Sequence, residues 1–417
     1  MSATRPVRTE TRLQGAPFLN SGGVASVLGL LNGGGEEARI VGGAVRNALL
    51  GRSVADTDIA TTAVPDEVIR RAKAANIKFA PTGVEHGTVT LIIEGRPYEV
   101  TTLREDVETF GRKARVVFGR DWARDAERRD FTINALSVSA DGTVYDYTGG
   151  LDDLAARRVR FIGDAARRIA EDYLRILRFF RIHAAYGSGQ VDREGLHACI
   201  AGRAGLAQLS AERIRSEMLK LLVADGASAA LVEMGDGGLL LDLLGGVTFH
   251  MAFDAIVAAE QQLGLEREPI RRLAALAGLI VEDAERLTQR LRLSNAESSE
   301  LVSTLHRWWR LVAIDEREAR VQLYRLGAER FRDRLLLAWA QTGGDPQRWQ
   351  QLATLPERWR VPAFPLKGAD FMKLGLQPGP ALGAALARAE QLWIDAGFPS
   401  ESEPVAAIAS AAMGAAS

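Results

Sequence analysis

Apolar and polar positions alternate in short runs over the first 150 residues, and glycine-rich turns separate these runs. A period of two predicts β-strands. From about residue 151 the apolar spacing becomes three or four, which indicates helices, with residues 159–162 as an extended exception. The pattern therefore predicts an α+β head with a mixed sheet, followed by an all-α remainder. The predicted strands cover residues 38–41, 56–60, 88–94, 98–103, 136–139 and 143–147.

The two ends of the chain lack a strong packing pattern. We expect the opening dozen residues to be disordered and the Ala-rich stretch after Pro404 to fray. A loop followed by a helix is expected near Pro380, because proline favours the first turn of a helix.

Composition narrows the class of protein and the kind of metal it uses. Hydrophobic residues make up 47% of the chain and charged residues 25%, and no apolar run is long enough to span a bilayer, so we expect no membrane. With a single cysteine, Cys199, and no apolar leader, we expect a reducing, cytoplasmic location. One cysteine and five histidines are too few for a structural zinc site, so a hard cation such as Mg²⁺ is expected.

The stretch RIVGGAVRNALLGRSVADTDIATTA carries the strongest chemical pattern. Gly42 and Gly43 lie at a strand-to-helix junction, where free backbone N–H groups bind phosphate, and Arg46 follows one turn later. Asp56 and Asp58 are two residues apart, so in a strand their carboxylates project from the same face. Such a pair repels itself unless a cation bridges it.

Glu99 is a third acid within a predicted strand, PYEVTTL. Taken alone, each of these acids is more often a surface turn, a helix cap or a solvent-facing strand residue. Three carboxylates beside a phosphate site would instead hold two divalent ions for phosphoryl transfer. The combination favours nucleotidyl transfer, with Asp56, Asp58 and Glu99 as catalytic residues and metal ligands.

Five motifs in order then make a family resemblance specific. GGAVRNALLG with DTD, ERRDFTINA, DYTGGLDDL, EDYLRILRFFR and AERIRSEMLKLL resemble the motifs of class II CCA-adding tRNA nucleotidyltransferases, in the polymerase-β-like superfamily that includes bacterial poly(A) polymerases. The resemblance implies a catalytic head over residues 1–150, a helical neck with a nucleotide-selecting helix over 151–228, and a helical body and tail over 229–417. Asn47 departs from the family, which usually has Asp after the arginine.

The motif ERRDFTINA has a chemistry of its own. Arg129 is suited to triphosphate oxygens, while Asp130 and Asn134 lie one helical turn apart and suit ribose hydroxyls. The alternative for this segment alone is an acid at a helix N-terminus with a capping asparagine.

The helix EDYLRILRFFRIHA predicts base selection. Asp172, Arg175, Arg178 and Arg181 recur every three residues and form a polar stripe. A carboxylate that accepts and a guanidinium that donates match the exocyclic amine and ring nitrogen of cytosine and adenine, and mismatch uracil and guanine. We expect Asp172 and Arg175 to contact the base, with Arg178 and Arg181 in support. The alternative is an ordinary ion pair of Asp172 or Glu171 with Arg175.

The resemblance implies template-independent addition of CCA to the 3′ end of tRNA with CTP and ATP. It also implies a flexible loop between Leu103 and Asp125 that helps to switch between nucleotides, against the alternative of a plain exposed connection. We expect the C-terminal half to hold the acceptor stem and elbow of tRNA through shape and phosphates, with no obligate protein partner. HRWWRL in that half suits RNA binding or packing.

Three alternatives remain open. They are a poly(A) polymerase of the same family, an enzyme that adds only A or only CC, and a catalytically silent RNA-binding scaffold.

Overall fold

The chain folds into two compact units. The computed structural model describes residues 7–81, 83–110 and 113–413. The first unit comprises the residues up to Gly245 together with Arg290–Arg292, and the second comprises Gly246–Gln289 and the residues from Leu293 onward.

The strands of the described residues all lie in the first unit. They are β1 (Arg8–Glu10), β2 (Ala38–Val41), β3 (Asp58–Thr61), β4 (Lys78–Ala80), β5 (Thr88–Ile93), β6 (Arg96–Thr102), β7 (Arg104–Phe110), β8 (Lys113–Phe118), β9 (Ser137–Val138) and β10 (Val144–Asp146).

Eight of these strands form one mixed sheet in the order β1-β10-β9-β2-β3-β6-β5-β4. Strand β2 is buried along its whole length, as its central position requires. Within the described residues, β3 and β6 are the one parallel pair of this sheet, with Ile59 opposite Val100. This pairing places Asp58, the first residue of β3, beside Glu99 in the middle of β6.

Among the described residues of the first unit, eleven helices accompany the sheet. They are α1 (Gly22–Leu31), α2 (Gly43–Leu49), α3 (Pro65–Ala74), α4 (Trp122–Glu127), α5 (Gly150–Ala155), α6 (Ala165–Glu171), α7 (Leu174–Tyr186), α8 (Arg193–Ala201), α9 (Ala211–Leu222), α10 (Ala227–Asp236) and α11 (Leu239–Leu244). Short 3₁₀ turns cover Val84–His86, Thr132–Asn134 and Arg203–Gln208.

The rest of the described chain is helical. The helices are α12 (His250–Leu263), α13 (Pro269–Ala277), α14 (Val281–Leu291), α15 (Asn295–Leu305), α16 (Glu316–Leu326), α17 (Ala328–Thr342), α18 (Pro346–Ala353), α19 (Leu355–Arg358), α20 (Gly368–Lys373), α21 (Pro380–Asp395) and α22 (Ser402–Met413), with a 3₁₀ turn at Trp308–Leu311. The predicted fold class, a mixed-sheet head followed by helices, is confirmed. Over the stretches that the structure covers, no helix combines the length and apolar character needed to cross a bilayer.

Both predictions for the chain ends need correction. Residues 1–6 and 414–417 lie outside the described residues. Arg8–Glu10, however, forms an edge strand paired with β10, and Ser402–Met413 is a helix that packs on α21. The partner of β1 is more than 130 residues away in sequence, with Arg8 opposite Asp146, so no local pattern reveals it.

The predicted loop between Leu103 and Asp125 is also different in the structure. Strands β7 and β8 pair with each other as an antiparallel ribbon, with an irregularity between Asp106 and Glu108. Residues 111 and 112 lie outside the described residues. The charged residues hide the period-two pattern, whereas cross-strand backbone hydrogen bonds form regardless of side-chain charge.

The second unit contains a buried network of charged side chains. Arg271 donates to Glu260 at 2.8 Å and to Asp333 at 2.7 Å, and Arg272 donates to the other oxygen of Glu260 at 2.8 Å. Glu268 caps α13 by accepting from the backbone N–H of Arg271 at 2.5 Å. Buried carboxylates are tolerated here because guanidinium groups neutralise them.

Glu300 adds a further carboxyl to this network and makes the stability of the protein depend on pH. Burial, followed by the charge and hydrogen bond of Glu268, raises the pKa of Glu300 to about 8, and the nearby Asp333 adds to the rise while Arg271 opposes it. The folded state therefore keeps a proton that the unfolded chain releases, so this contribution to stability is complete below pH ~4.5 and is lost as pH rises towards 8.

We expect Glu300→Gln to flatten this dependence, because the amide stays neutral. Its Tm at pH 9 should exceed that of the wild type by about 3 °C or more, with little difference at pH 5. Thermal unfolding between pH 5 and pH 9 measures this, with Glu282→Gln at an exposed position as the control. Parallel pH curves for wild type and Glu300→Gln would contradict the assignment.

Candidate functional site

The three predicted acids line one cleft of the first unit. Ile59 pairs with Val100, and Asp58 and Glu99 are the residues just before this pair. Because side chains alternate along a strand, Asp58 and Glu99 project from the same face of the sheet, opposite to the face of Ile59 and Val100. The strand predicted over residues 56–60 begins only at Asp58, so Asp56 lies in the segment before β3 and the strand alternation does not set its direction. All three side chains are exposed to a cleft of about 730 Å³. The cleft is lined by Phe18, Ser21, Val24, Val54, Ala55, Asp56, Thr57, Asp58, Arg96, Pro97, Tyr98 and Glu99.

Asp56 and Asp58 interact electrostatically. The cleft walls remove water from Asp58 and so raise its pKa, Arg129 opposes the rise, and the negative charge of Asp56 adds to it. A divalent cation would relieve this repulsion, so the oxygen donors of the pair fit a hard metal ion. Among residues 7–81, 83–110 and 113–413 there is no group of three Asp, Glu, His or Cys side chains placed to hold a metal, so Glu99 is not gathered with the aspartates as a third ligand.

The glycine pair begins helix α2 beside the aspartates. Gly42 has φ +74° and ψ −129°, a conformation that side chains with a Cβ atom rarely adopt, and it is the N-cap residue of α2. A Cβ atom at Gly42 would lie 3.2 Å from Nη1 of Arg129. Arg129, which also pairs with Asp125 at 3.3 Å, thus lies close to the start of α2 and within electrostatic reach of Asp58. Gly42, Gly43 and Arg129 are together suited to phosphate.

We expect Gly42→Ala to impair both stability and nucleotide binding. The backbone strain costs about 1 to 3 kcal/mol, and the methyl group displaces Arg129. Gly51→Ala is the matched control, because Gly51 has φ +66° but open space at the Cβ position. Thermal unfolding and KM for nucleotide measure the two effects; an unchanged KM in Gly42→Ala would contradict the role of this contact.

Arg46 is buried rather than free in the cleft. Its Nη1 donates to Oδ1 of Asn134 at 2.5 Å, and its Nε and Nη2 donate to Oδ1 of Asn47 at 3.2 and 3.0 Å. The guanidinium lies 3.6 Å from the centre of the Tyr186 ring, and burial lowers its pKa. Asn47, the departure from the family pattern, thus orients Arg46 and also donates to the carbonyl of Ser53 at 3.3 Å.

Asp130 and Asn134 continue this network towards helix α7. Oδ1 of Asp130 accepts from Nδ2 of Asn134 at 3.2 Å, and Oδ2 accepts from Nε of Arg178 at 2.7 Å. Burial acts to raise the pKa of Asp130, but the charge and hydrogen bond of Arg178 outweigh it and hold the pKa below its usual range. Hydrogen bonds therefore run without a break from Arg46 through Asn134 and Asp130 to Arg178.

The selecting helix shows the ion pair that was the alternative to base contact, since Arg175 pairs with Glu171, while Asp172 has other partners. Asp172 lies before the start of α7, where Oδ1 accepts from the backbone N–H of Leu174 at 3.1 Å and Oδ2 accepts from Arg213 at 2.6 Å. Arg175 instead donates to Glu171 at 2.6 Å. An aspartate at a helix N-terminus satisfies a free backbone N–H, which turns Asp172 away from a partner three residues later. Arg181 donates to Glu217 at 2.5 Å.

Sequence reasoning missed three partners in this site. Arg213 and Glu217 lie four residues apart on α9 and engage Asp172 and Arg181. Their motif, AERIRSEMLKLL, pointed to a supporting role but not to these pairs. Tyr186, which lies under Arg46, belongs to none of the motifs, and nothing in the sequence indicated it.

Two family models match the chain. Residues 38–160 match the poly A polymerase head domain, and residues 190–248 match the model described as the probable RNA and SrmB-binding site of polymerase A. The first match contains the cleft acids, the glycine pair and the Asp130 motif.

Similar proteins agree with these models over almost the whole chain. The mitochondrial CCA tRNA nucleotidyltransferase 1 of Mus musculus is 34% identical over 404 residues, 94% of this chain and 91% of its own length. The CCA-adding enzyme of Lacticaseibacillus paracasei is 33% identical over 402 residues, 92% of this chain and 94% of its own. The crystal structure of the Bacillus stearothermophilus CCA-adding enzyme in complex with CTP superposes with a TM-score of 0.70 at 27% identity, covering 93% of this chain and 96% of that one. The predicted family is thereby confirmed, and the chain belongs to the CCA-adding tRNA nucleotidyltransferases.

Proposed function

We propose that this protein adds two cytidylates and one adenylate to the 3′ end of tRNA without a template. The observation that supports this most is the cleft in which Asp56, Asp58 and Glu99 lie beside Arg129 and the start of α2. In each step the terminal 3′-oxygen bonds to the α-phosphorus of the incoming nucleotide. The bond to the β-phosphate oxygen breaks, pyrophosphate leaves, and the hydroxyl proton passes to solvent.

Asp56 and Asp58 are the proposed Mg²⁺ ligands, and Glu99, which lines the same cleft, is the proposed third carboxylate that would hold the metal. The family uses divalent cations, and the mutual repulsion of Asp56 and Asp58 suits one. Bound Mg²⁺ would lower the pKa of the attacking hydroxyl and neutralise charge on the transferring phosphate. The carboxylates themselves hold the negative charge that keeps the ions in place.

The triphosphate is held by the start of α2 and by Arg129. The backbone N–H of Gly43 and the guanidinium of Arg129 are the proposed donors, while the N–H of Gly42 donates to the carbonyl of Leu136 at 3.0 Å and holds the turn in place. Arg46 acts behind them: its hydrogen bonds and its stacking on Tyr186 hold α2 against Asn134. A direct contact of Arg46 with phosphate would require it to leave those partners.

Asp172 and Arg175 are proposed to contact the base, and Asp130 and Asn134 the ribose. A bound base must compete with Arg213 for Asp172 and with Glu171 for Arg175. These partners satisfy the selecting groups until a base with the right donors and acceptors replaces them. Arg178 and Arg181 keep their pairs with Asp130 and Glu217 and support the pocket.

The decisive assay offers each nucleoside triphosphate separately to a tRNA transcript that ends before CCA. We expect CTP to be added twice, ATP only after CC, and neither UTP nor GTP efficiently. Extension of unrelated RNA with ATP alone would favour a poly(A) polymerase, to which the head-domain model also points. Addition of only A or only CC would identify a partial enzyme, and absence of any Mg²⁺-dependent pyrophosphate release would indicate a silent RNA-binding scaffold.

A cytoplasmic location is also a proposal. It depends on the single cysteine, Cys199, which is buried and has no second cysteine with which to form an intramolecular disulfide. The mouse relative is named as mitochondrial, so fractionation of the native cell is the test.

A further inference from the structure

A basic turn in the second unit has no role in the site described above. Helix α15 ends at Leu305, and the chain passes through His306 and Arg307 into the 3₁₀ turn at Trp308–Leu311. Arg307 has φ +52°, an uncommon value for a residue with a side chain. We use the name basic turn for His306, Arg307, Trp309 and Arg310, all of which are exposed.

The two tryptophans of this turn have different environments. Trp308 packs against the core cluster around Leu311, and its Nε1 donates to the carbonyl of Leu279 at 2.8 Å. Trp309 is 49% exposed, and its ring lies edge-on to Trp308 with centroids 6.1 Å apart. Trp308 therefore serves the packing role, while Trp309 contacts Trp308 by an edge and leaves about half its surface in water.

Within the described residues, no carboxylate neutralises the cations of the basic turn or Arg330, which lies close to Arg334, itself a neighbour of His306. Arg307, Arg310 and Arg330 make no side-chain hydrogen bond or ion pair with any described residue. Arg334 is buried and donates only to the carbonyl of Ser303, at 3.0 and 2.8 Å.

The ionisation of neighbouring groups reports the same surplus of positive charge. Burial and then the charges of Arg334, Arg307 and Arg310 lower the pKa of His306. Burial and the charge of Arg330 lower the pKa of Arg334. The positive charges of these arginines repel one another. An anionic ligand that binds them would relieve this repulsion, which favours its binding.

We propose that the basic turn, together with Arg330, binds the backbone of the RNA substrate away from its reacting end, with guanidinium groups on phosphates and Trp309 stacked on an unpaired base. This rests on the proposed function, which supplies the RNA. Guanidinium groups beside an exposed indole suit a nucleotide, because they match both the phosphate and the flat base. The net charge of the chain is −1, so this positive surface is a local feature.

The test is binding of the full-length protein to a fluorescent tRNA transcript lacking CCA, measured by anisotropy at several salt concentrations. We expect the double variant Arg307→Ala/Arg310→Ala to bind about tenfold more weakly or worse, and the slope of log K against log salt to fall by about two, one for each lost phosphate contact. Trp309→Ala should weaken binding about fivefold with little change in slope, since stacking is not ionic. Arg360→Ala, at an exposed and unpaired arginine of the same unit, should bind like wild type.

Wild-type affinity and slope in the double variant would overturn the proposal. A loss of thermal stability in Trp309→Ala without loss of RNA affinity would assign the tryptophan to packing and would also overturn it. CTP incorporation at saturating tRNA should be retained in all these variants, because none of the residues lies in the cleft. A wild-type enzyme that binds tRNA but incorporates nothing would refute the proposed function instead, so the two failures are distinguishable.

Discussion

Asp58→Asn is expected to abolish nucleotide addition while leaving the fold intact. The amide has the same shape but lacks the charge that a divalent ion requires, so kcat should fall by roughly a thousandfold or more, about 4 kcal/mol of transition-state stabilisation. The loss of repulsion from Asp56 should leave Tm unchanged or slightly higher. Single-turnover incorporation of CTP on tRNA, together with thermal unfolding, measures both effects.

The matched control for this variant is Asp66→Asn. Asp66 is an exposed carboxylate in the first turn of α3, and it is not among the residues that line the cleft. It should retain full activity. Activity of Asp58→Asn within tenfold of wild type would remove the metal assignment.

Arg178→Met is expected to destabilise the protein and to disturb nucleotide selection. It leaves Asp130 as a buried carboxylate without its guanidinium partner. Removing one partner of a buried pair costs about 3 to 5 kcal/mol, and we expect about 2 to 4 here because a third of the Arg178 side chain faces solvent. Chemical unfolding at pH 7 measures this cost.

A double-mutant cycle separates the pair from general packing. Asp130→Asn/Arg178→Met should be more stable than Arg178→Met alone, because no buried charge remains unpaired. The pH dependence has a defined sign: the pKa of Asp130 is lowered in the fold, so its contribution to stability is present above pH ~4 and is lost as pH falls. Strict additivity of the two substitutions would show that the pair is not coupled.

The sequence predicted the sheet best where burial alone sets the pattern. Residues 38–41 were predicted as a strand and form one, because all four are buried at the centre of the sheet. The edge strand β1 and the ribbon of β7 and β8 were missed, because their stability comes from backbone pairing that side-chain periodicity does not report.

In the site, the sequence predicted that the three acids lie close together, but it did not predict the partners of the selecting residues. Asp56, Asp58 and Glu99 do line one cleft, but Asp172 pairs with Arg213 and Arg175 with Glu171. Spacing along one helix cannot reveal a partner on another helix, such as Arg213 on α9. It also could not reveal that Tyr186 lies under Arg46, since a ring contact leaves no pattern in the sequence.

The most direct measurement is the position of Mn²⁺ in crystals grown with a non-hydrolysable CTP analogue, located by anomalous scattering. We expect the anomalous peak in the cleft beside the carboxylates of Asp56 and Asp58, with Glu99 next to it and the triphosphate on Arg129. A nucleotide bound elsewhere, or a metal that contacts neither aspartate, would contradict it.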